Sequence, residues 1–195
     1  MENIWRKRNN YTSYTMKTSI KTIIYGLLAC VMLVSCNNGP SLQTYFVDNQ
    51  ESPNFISADI PTSVVSLDET EFSEDQKEAY KSLKKLNFLG YKMSETNTDD
   101  YKAELEKVKL ILQDKKYIKL MEFRDKAMKF EIKYIGDNDS AEEVIIFANS
   151  PDMGFGIVRV LGNDMRPEKI ATLANAVQSA DFDESQLNGI TDFFK

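Results

Sequence analysis

The amino-acid sequence predicts an α+β domain, because helical and strand periodicities are both present and the strands follow one another in the second half. Between residues 101 and 112, apolar side chains recur at steps of four, three and four, which predicts an amphipathic helix lying on a core. Between residues 128 and 134, apolar and charged side chains alternate, which predicts a strand with one buried and one wet face. The predicted single domain has the order strand–helix–strand–helix, then a four-strand antiparallel meander, then a C-terminal helix packed on the sheet.

The first half of the domain is predicted from alternation and from capping signals. Residues 55–60 alternate as a strand that Pro61 stops. Ser73 is followed by two acidic residues, which is typical of a helix N-cap, and apolar residues at helical spacing come after it. Residues 86–91 form a short apolar run, broken by Gly90, that predicts a second strand.

Four consecutive strands are predicted over residues 117–123, 127–134, 144–148 and 155–161. The third of them is apolar throughout, which predicts a central strand covered on both faces. Turn-forming residues separate the strands at 125–126 and 136–140. Pro167 opens the final helix, whose inner side carries Ile170, Leu173, Ala174 and Val177.

The composition of the 195 residues excludes several classes of functional site. The chain contains no histidine, which removes Ser-His-Asp and Cys-His triads, imidazole bases and histidine-containing zinc sites. Its two cysteines, Cys30 and Cys36, both lie near the N-terminus, so a disulfide framework and a thiolate metal cluster are also excluded. Contiguous hydrophobicity is concentrated in one segment, which excludes a protein with several membrane spans.

Residues 1–35 have the features of a secretory signal peptide. Two lysines precede an uncharged, almost wholly apolar run, Ile23–Val34. This run is clearly shorter than the roughly 20 apolar residues that a membrane-spanning helix needs. Met16 is the expected translation start, because a signal peptide of ordinary length begins there, and Met1 is the alternative.

The end of this segment, Leu33-Val34-Ser35-Cys36, resembles the lipobox of bacterial lipoproteins, with a leucine three positions before the cysteine and a small serine just before it. The resemblance implies that the Cys36 thiol receives a diacylglyceryl group, that the chain is cut before Cys36, and that the new N-terminus is acylated. Two or three acyl chains hold a protein durably on a membrane. The alternative is an uncleaved anchor or a buried apolar helix with an incidental cysteine.

The charge of the processed chain argues against nucleic acid as a partner. Removing residues 1–35 takes away five of the 24 basic residues and one of the 30 acidic residues. The processed chain then has 19 basic and 29 acidic residues and a net charge of −10. Affinity for nucleic acid depends on clustered Lys and Arg that neutralise phosphates. Anionic phospholipid head groups are disfavoured for the same reason.

Residues 36–54 are predicted to be the lipidated cysteine and a flexible tether, because Asn, Gly, Pro, Ser and Gln are frequent and apolar residues are few. An apolar island within this segment, Tyr45-Phe46-Val47, is a candidate early strand. The first acidic residue after the cysteine is Asp48. A cluster of acidic residues directly after the lipidated cysteine directs some lipoproteins to the cell surface. The absence of such a cluster here favours the periplasmic face of the outer membrane.

The globular domain is predicted over residues 55–180, and a C-terminal extension follows over residues 181–195. The extension carries several large apolar residues: Leu187, Ile190, Phe193 and Phe194. Two alternatives stay open for it, a short helix docked on the sheet and a mobile tail.

Three short motifs have both a functional and a structural interpretation. The acidic segment 136–143 suggests oxygen ligands for calcium, but it lacks the spacing of an EF-hand, and hairpin turn chemistry explains its residues without a metal. Gly154-Phe155-Gly156 lies in a predicted strand without a third glycine or a following helix, which argues against a dinucleotide site. Asp164 is interpreted as the cap of the final helix.

Charged residues in the predicted strands do not single out a catalytic site. Arg159 lies on the face opposite to its valine neighbours, where it either meets solvent or pairs with a carboxylate on an adjacent strand. Glu122 and Arg124 have the same two interpretations. No pair among the 29 acidic residues has a spacing that marks a glycosidase-like site. The sequence therefore predicts no catalytic residue, no metal and no cofactor.

Two strand segments and the start of the final helix carry a family resemblance. The segments are Tyr117–Asp125, with its Leu-Met-Glu core, and Phe155–Asp164, in which a glycine precedes an acidic cap; the closing helix contributes Glu168-Lys169-Ile170. Together they resemble the DUF4252 family, small envelope proteins and often lipoproteins, whose function is not established. The similarity runs from about Phe55 to Gln178 and brings no catalytic residues.

These features predict a non-enzymatic, lipid-anchored envelope protein whose domain binds another protein in the periplasm. Its membrane contact is the lipid on Cys36, with Leu33, Val34 and Ser35 as the processing signal. Two alternatives stay open. One is a lipoprotein that binds a small apolar ligand between sheet and helices, and the other is a hydrolase that uses carboxylates or Ser and Lys.

Overall fold

The computed structural model describes residues 40–62, 69–125 and 127–179. The elements within these residues are, in chain order, α1 (Leu42–Asn49), β1 (Phe55–Pro61), α2 (Glu74–Ser82), β2 (Leu83–Lys92), α3 (Thr98–Leu112), β3 (Ile118–Asp125), β4 (Met128–Gly136), β5 (Ala141–Ser150), β6 (Gly154–Met165) and α4 (Pro167–Ser179). Each helix and strand predicted for the globular domain is present, and α1 is an additional element.

The six strands of the described residues form one antiparallel sheet, in the order β1-β2-β6-β5-β4-β3. Strands β3 to β6 follow one another as neighbours, and β2 pairs along β6, which adds β1 and β2 to them. The α+β class is therefore confirmed, whereas the sheet is larger than a four-strand meander. The larger sheet arises because the segment containing α3 carries the chain from β2 to the far edge, which leaves β6 free to pair with β2.

Alternation along the central strands gives both faces of the sheet an apolar surface. In β5, Ile145 and Phe147 point to one face, Val144 points to the other, and all three are buried. Helices α1 and α3 cover the first of these faces, which we call the α1/α3 face, and helices α2 and α4 cover the α2/α4 face. The prediction of a central strand covered on both faces is thereby confirmed.

Aromatic rings make up much of the core on the α1/α3 face. Tyr91 and Phe155 stack with their ring centroids 5.6 Å apart, and Phe55 meets Tyr91 edge-on at 4.9 Å. Tyr45 of α1 and Tyr101 of α3 complete this cluster from the helices. Each such ring pair contributes about 0.5–1.5 kcal/mol beyond the area that it buries, so the cluster helps to hold both helices on the sheet.

Helix α1 corrects the predicted flexible tether over residues 42–49, whereas residues 36–39 of that tether lie outside the described residues. Ser41 caps the helix by accepting a hydrogen bond from the backbone N–H of Thr44 at 3.2 Å. Three of its side chains are at most 7% exposed: Leu42, Tyr45 and Phe46. The candidate strand at 45–47 is therefore helical, and the folded part begins at residue 42 rather than 55, because these side chains fill the α1/α3 face.

Helix α2 begins with the predicted cap and packs on α4. Ser73 accepts a hydrogen bond from the backbone N–H of Gln76, whose side chain accepts one from the backbone N–H of Ser73 at 2.8 Å. Gln76 also donates to the carbonyl oxygen of Thr172 in α4 at 3.3 Å. Ile170 and Leu173 are 5% exposed, which confirms the inner side predicted for α4.

The interpretation of Asp164 as a helix cap is wrong. Strand β6 continues through this residue to Met165, and Asp164 has a positive φ of 55°. Helix α4 begins at Pro167 as predicted, so the position before it belongs to Arg166. Strand β6 continues past Asp164 because it places the side chain of Met165 in the α2/α4 core, where this side chain is 0% exposed.

The predicted signal peptide, residues 1–35, and the predicted C-terminal extension, residues 181–195, lie outside the described residues. Within the described part of the chain, no helix is long and apolar enough to cross a membrane. Helix α3, with 15 residues, is amphipathic and buries one side against the sheet, as predicted.

The packing of α1 predicts that Leu42→Ala lowers the free energy of unfolding by about 2–5 kcal/mol, because a side chain that is 1% exposed is replaced by a cavity. Val47 on the same helix is 62% exposed, and Val47→Ala is expected to change the stability by less than about 0.5 kcal/mol. Urea denaturation of the chain from Cys36 onward measures both variants. Equal effects of the two substitutions would mean that α1 is not part of the folded domain.

Candidate interaction surface

The residues of the predicted lipidation site lie outside the described residues. Leu33, Val34, Ser35 and Cys36 all precede Pro40, where the described chain begins. Their chemistry stays a prediction from the sequence. The other motifs and charged residues that the sequence singles out lie in the strands of the sheet or next to them, so their surroundings are defined.

Arg159 pairs with a carboxylate on the adjacent strand, which is one of its two predicted interpretations. Its Nε and Nη2 atoms donate to the two carboxylate oxygens of Glu143 on β5, at 2.6 and 2.8 Å. Both side chains are 13% exposed, and the guanidinium lies 5.3 Å from the centre of the Phe46 ring in α1. The hydrogen bonds to Glu143 raise the pKa of Arg159. The pair therefore supports α1 on the sheet.

The acidic segment 136–143 forms the turn between β4 and β5 and the start of β5. One carboxylate oxygen of Asp137 accepts hydrogen bonds from the backbone N–H groups of Asp139 and Ser140, both at 2.9 Å. The backbone N–H of Asp137 donates to the carbonyl oxygen of Ser140 at the same distance. The turn itself therefore uses this carboxylate. Among the described residues, no group of three or more acids, cysteines or histidines is arranged to hold a metal ion.

Gly154 and Gly156 lie in β6, as predicted, and each has a packing reason. Gly154 begins the strand with a φ of 126°, and a Cβ there would lie 2.0 Å from the carbonyl oxygen of Tyr91. Gly156 lies against the ring of Phe88, whose Cε2 atom would be 3.1 Å from an added Cβ. Both glycines therefore allow β2 and β6 to approach closely.

A polar layer beneath α3 has no counterpart among the sequence predictions. Tyr45 donates a hydrogen bond to Glu104 at 2.8 Å, and Tyr101 donates one to Asn149 at 2.7 Å. Burial, and then the hydrogen bond to Glu104, raises the pKa of Tyr45. Two further hydroxyl groups are buried without a hydrogen-bond partner among the described residues, those of Tyr91 and Ser150. The signal that could have pointed to this layer is the use of tyrosine, rather than phenylalanine, at core positions of three different elements.

The charged side of β3 and β4 forms a continuous surface near one edge of the sheet, which we call the β3–β4 strip. It consists of five side chains: Lys119, Glu122, Lys129, Glu131 and Lys133. Those of β4 follow the alternation predicted for residues 128–134. Glu131 and Lys133 stand opposite Phe147 and Ile145 of β5, which belong to the α1/α3 core. The α1/α3 face of the sheet is therefore apolar in its centre and charged towards this edge.

Ion pairs connect the side chains of the strip. Glu122 contacts Lys119 at 2.6 Å and Lys129 at 3.1 Å, and Lys133 contacts Glu131 at 3.3 Å. Exposure rises towards the edge, from 13% for Lys133 to 53% for Lys119. The hydrogen bond from Lys119, and then that from Lys129, lowers the pKa of Glu122. Pairing with a cation is one of the two predicted interpretations of Glu122.

Strand β3 forms one edge of the sheet and pairs only with β4 among the described strands. Such an edge is a template for pairing with another chain. A register shift between Lys119 and Met121 interrupts its regular pairing with β4, and the exposed Arg124 lies near its end. The exposed charges and the interrupted pairing of β3 limit non-specific association with other strands. The edge therefore suits a partner of complementary charge.

An open cleft of about 430 Å³ lies at the end of the sheet where β3 begins. Its lining comes from the loop between α3 and β3 and from the β4–β5 turn, and it includes Lys115, Lys116, Ile118 and Glu142. The Nζ atom of Lys116 lies 5.1 Å from the centre of the Tyr117 ring. In the described part of the chain, neither lysine belongs to an ion pair.

One family comparison covers nearly all of the described elements. The model of a family described as "Domain of unknown function (DUF4252)" matches residues 45–173, from within α1 to within α4. The resemblance predicted from the sequence is thereby confirmed, and the match includes part of the helix that replaces the predicted tether. No curated protein and no solved structure matches the chain.

The lowered pKa of Glu122 predicts a difference in acid sensitivity. A carboxyl group whose pKa is lower in the folded than in the unfolded chain stabilises the fold. This stabilisation is fully present at pH values above the ordinary pKa of the group, 4.5, and it is lost as the pH falls through the folded-state pKa. Because Glu122→Gln cannot titrate, this variant is expected to lose less stability than the wild type between about pH 6 and about pH 2. Urea denaturation midpoints at the two pH values measure the difference.

The control removes the two lysines that contact Glu122. In a chain that carries Lys119→Met and Lys129→Met, the further change Glu122→Gln is expected to have little effect on the acid profile. An identical profile for Glu122→Gln and the wild type would contradict the role assigned to these lysines.

Proposed function

The chain belongs to the DUF4252 family, and we propose that it is a lipid-anchored protein of the bacterial cell envelope whose domain binds another protein without catalysing a reaction. The anchor is the lipid on Cys36, and the favoured location is the periplasmic face of the outer membrane. The binding role requires no metal and no cofactor.

One observation carries the proposal, the sequence Leu33-Val34-Ser35-Cys36 at the end of the apolar run Ile23–Val34. The length of the run and the basic residues before it suit a signal peptide rather than a membrane-spanning helix. A cysteine directly after the expected cleavage position provides a thiol for lipid attachment. Acyl chains on it would hold the protein with about 0.8 kcal/mol per buried CH₂ group.

The surroundings of the charged residues support a binding role rather than catalysis. Arg159 and Glu143 bond to each other, and Glu104 is bonded to Tyr45 and Lys107. A catalytic acid or base needs instead a group that is free to exchange a proton with a substrate. Of the three charged residues that the sequence leaves open, Arg159 and Glu122 are engaged in ion pairs, and Arg124 is exposed near the end of β3.

The β3–β4 strip is the surface that we assign to the partner. It combines an edge strand with charged side chains whose ion pairs already hold them in place. A partner with acidic groups opposite Lys119 and Lys129 and a basic group opposite Glu122 matches it. Charges on such a rim control the rate of association and the choice of partner more than they control affinity.

Cys36→Ala is expected to abolish incorporation of a labelled fatty acid and to move the protein from the membrane fraction to a soluble or precursor form, because the acceptor thiol is lost. Metabolic labelling and cell fractionation measure both effects. Cys30→Ala is the matched control, since Cys30 lies in the apolar run and leaves with the signal peptide. Lipid labelling that persists in Cys36→Ala would rule out the proposed anchor.

A photo-crosslinking residue at position 119 is expected to give one dominant adduct with an envelope protein in intact cells, because it lies at the exposed edge of the strip. Position 102 is the matched control, since Lys102 on α3 is also an exposed lysine in an ion pair, with 67% of its side chain exposed. Charge reversal by Glu122→Lys should weaken the adduct at position 119. No adduct there, or equal adducts at both positions, would count against the assigned surface.

A further inference from the structure

We infer that the lipidated domain stands end-on on the lipid bilayer, with the end at which α1 begins facing the head groups. We call this the proximal end; it comprises the first turn of α1, the loop between α3 and β3, and the β4–β5 turn. The inference rests on the proposed lipidation of Cys36. It adds an orientation and a second contact, between the folded domain and the lipid surface.

The chain enters the domain at a fixed point. The backbone N–H of Leu42 donates a hydrogen bond to the hydroxyl of Tyr117 at 3.0 Å, in the loop that precedes β3. Leu42 is 1% exposed and Tyr117 is 5% exposed, so the first turn of α1 is held in the core. Phe46, one turn later, lies over Arg159 in β6, so the helix runs from the proximal end over the sheet.

The connection between Cys36 and this point is short. Five residues separate Cys36 from Leu42. Six backbone steps span at most about 20 Å even when the chain is fully extended. A lipid on the Cys36 thiol therefore keeps the proximal end close to the head groups, whatever conformation these five residues adopt. A tether over residues 36–54 would allow a reach of roughly 60 Å.

The opposite end of the domain, which we call the distal end, lies far enough from the proximal end for a fluorescent probe to distinguish the two ends. Strand β5 has 10 residues, and a rise of roughly 3.3 Å per residue gives it a length of about 30 Å. The β4–β5 turn, residues 137–140, lies at the proximal end, because the end of β4 pairs with the start of β3. The β5–β6 turn, residues 151–153, lies at the distal end.

The charges along α3 favour the same orientation. This helix runs from the distal to the proximal end, with Asp99 and Asp100 in its first turn and Lys115 and Lys116 in the loop after its last turn. Both lysines are exposed and line the open cleft, beside Ile118, which is 37% exposed. Because neither lysine forms an ion pair with another described residue, the proximal end offers two cations and an apolar side chain to a lipid surface.

Acidic residues are also present at the proximal end, namely Asp114, Asp137, Asp139 and Glu142. The carboxylates of Asp114 and Asp137 accept backbone hydrogen bonds in their own turns. Although the net charge of the processed chain disfavours anionic head groups for the domain as a whole, such head groups attract the two lysines locally, over a distance of about 10 Å, and repel the acids at the distal end. Lipid is the occupant that fits this end, because the acyl chains on Cys36 keep head groups within its reach.

Tryptophan fluorescence on vesicles tests this orientation. Trp5 is the only tryptophan, so the chain from Cys36 onward has none, and Cys36 is its only thiol. Both core clusters of the described residues lie within this chain, so it is expected to retain the fold. A phospholipid with a maleimide group couples to Cys36 whether or not cells lipidate it. A failure of the proposed anchoring and a failure of the orientation therefore give separate results.

Two exposed turn positions report on the two ends, Asn138→Trp on the proximal end and Met153→Trp on the distal end. The vesicles contain phosphatidylethanolamine and phosphatidylglycerol, with a quencher attached to the head groups. Asn138→Trp is expected to lose most of its fluorescence, whereas Met153→Trp stays near the level of the uncoupled protein. Equal quenching of the two, or stronger quenching of Met153→Trp, overturns the inference.

Two controls separate the short connection from the charges. A Gly-Ser segment of roughly 15 residues inserted after Gly39 is expected to restore the fluorescence of Asn138→Trp, and unchanged quenching would overturn the argument from length. Replacement of Lys115 and Lys116 by Gln is expected to reduce the quenching, whereas replacement of Lys102 and Lys107 leaves it unchanged. Quenching that is equal in these two double variants would overturn the lipid contact.

Discussion

Two adjacent central strands with apolar side chains on both faces impose the architecture of this domain. Ile145 and Ile157 point to the α1/α3 face and are 0% exposed, and Val144 and Val160 point to the α2/α4 face and are at most 3% exposed. Burial of apolar surface stabilises a fold by about 25 cal/mol per Å². A sheet of this kind therefore needs a helical layer on each side, and two helices supply each of the two layers.

The same requirement explains why the folded part begins with α1. Helix α3 covers one part of its face, and the short α1 adds three buried side chains to the same core. Once they are buried, five residues remain between Leu42 and Cys36. A packing requirement in the core therefore sets the distance between the domain and its membrane in the proposed lipoprotein.

Polar contacts define the positions of helices that apolar burial alone would leave loosely placed. Tyr45 of α1 bonds to Glu104 of α3, and Arg159, paired with Glu143, lies beneath Phe46. Hydrogen bonds to charged groups contribute about 1.5–3 kcal/mol, and a half-buried charge that loses its partner is costly.

The ion pairs of the β3–β4 strip lie in a different setting. They are more exposed towards the edge of the sheet, where water and salt screen an ion pair and leave it little effect on stability. Charges in such a place add little to the fold and remain available for recognition. This contrast between the buried and the exposed ion pairs supports the assignment of the strip to a partner.

The sequence by itself determined the elements that local geometry specifies. The helix over 101–112 and the strand over 128–134 follow from the spacing of apolar residues, and Ser73 and Pro167 mark helix starts through backbone chemistry within one turn. The expected lipid attachment at Cys36 is likewise contained in a few consecutive residues. The absence of histidine limited the possible chemistry before any fold was considered.

Only the tertiary structure decided the contacts between distant segments. The partner of Arg159 lies on another strand, the pairing of β2 with β6 joins two halves of the chain, and β6 extends past Asp164 because Met165 must reach a core. Helix α1 was missed because the polar residues around it were given more weight than its local helix signal, which is Ser41 followed by three buried apolar residues at i, i+3 and i+4. A helix of only eight residues is marginal by itself, so its stability depends on burial against a sheet that forms later in the chain, and local periodicity does not report that burial.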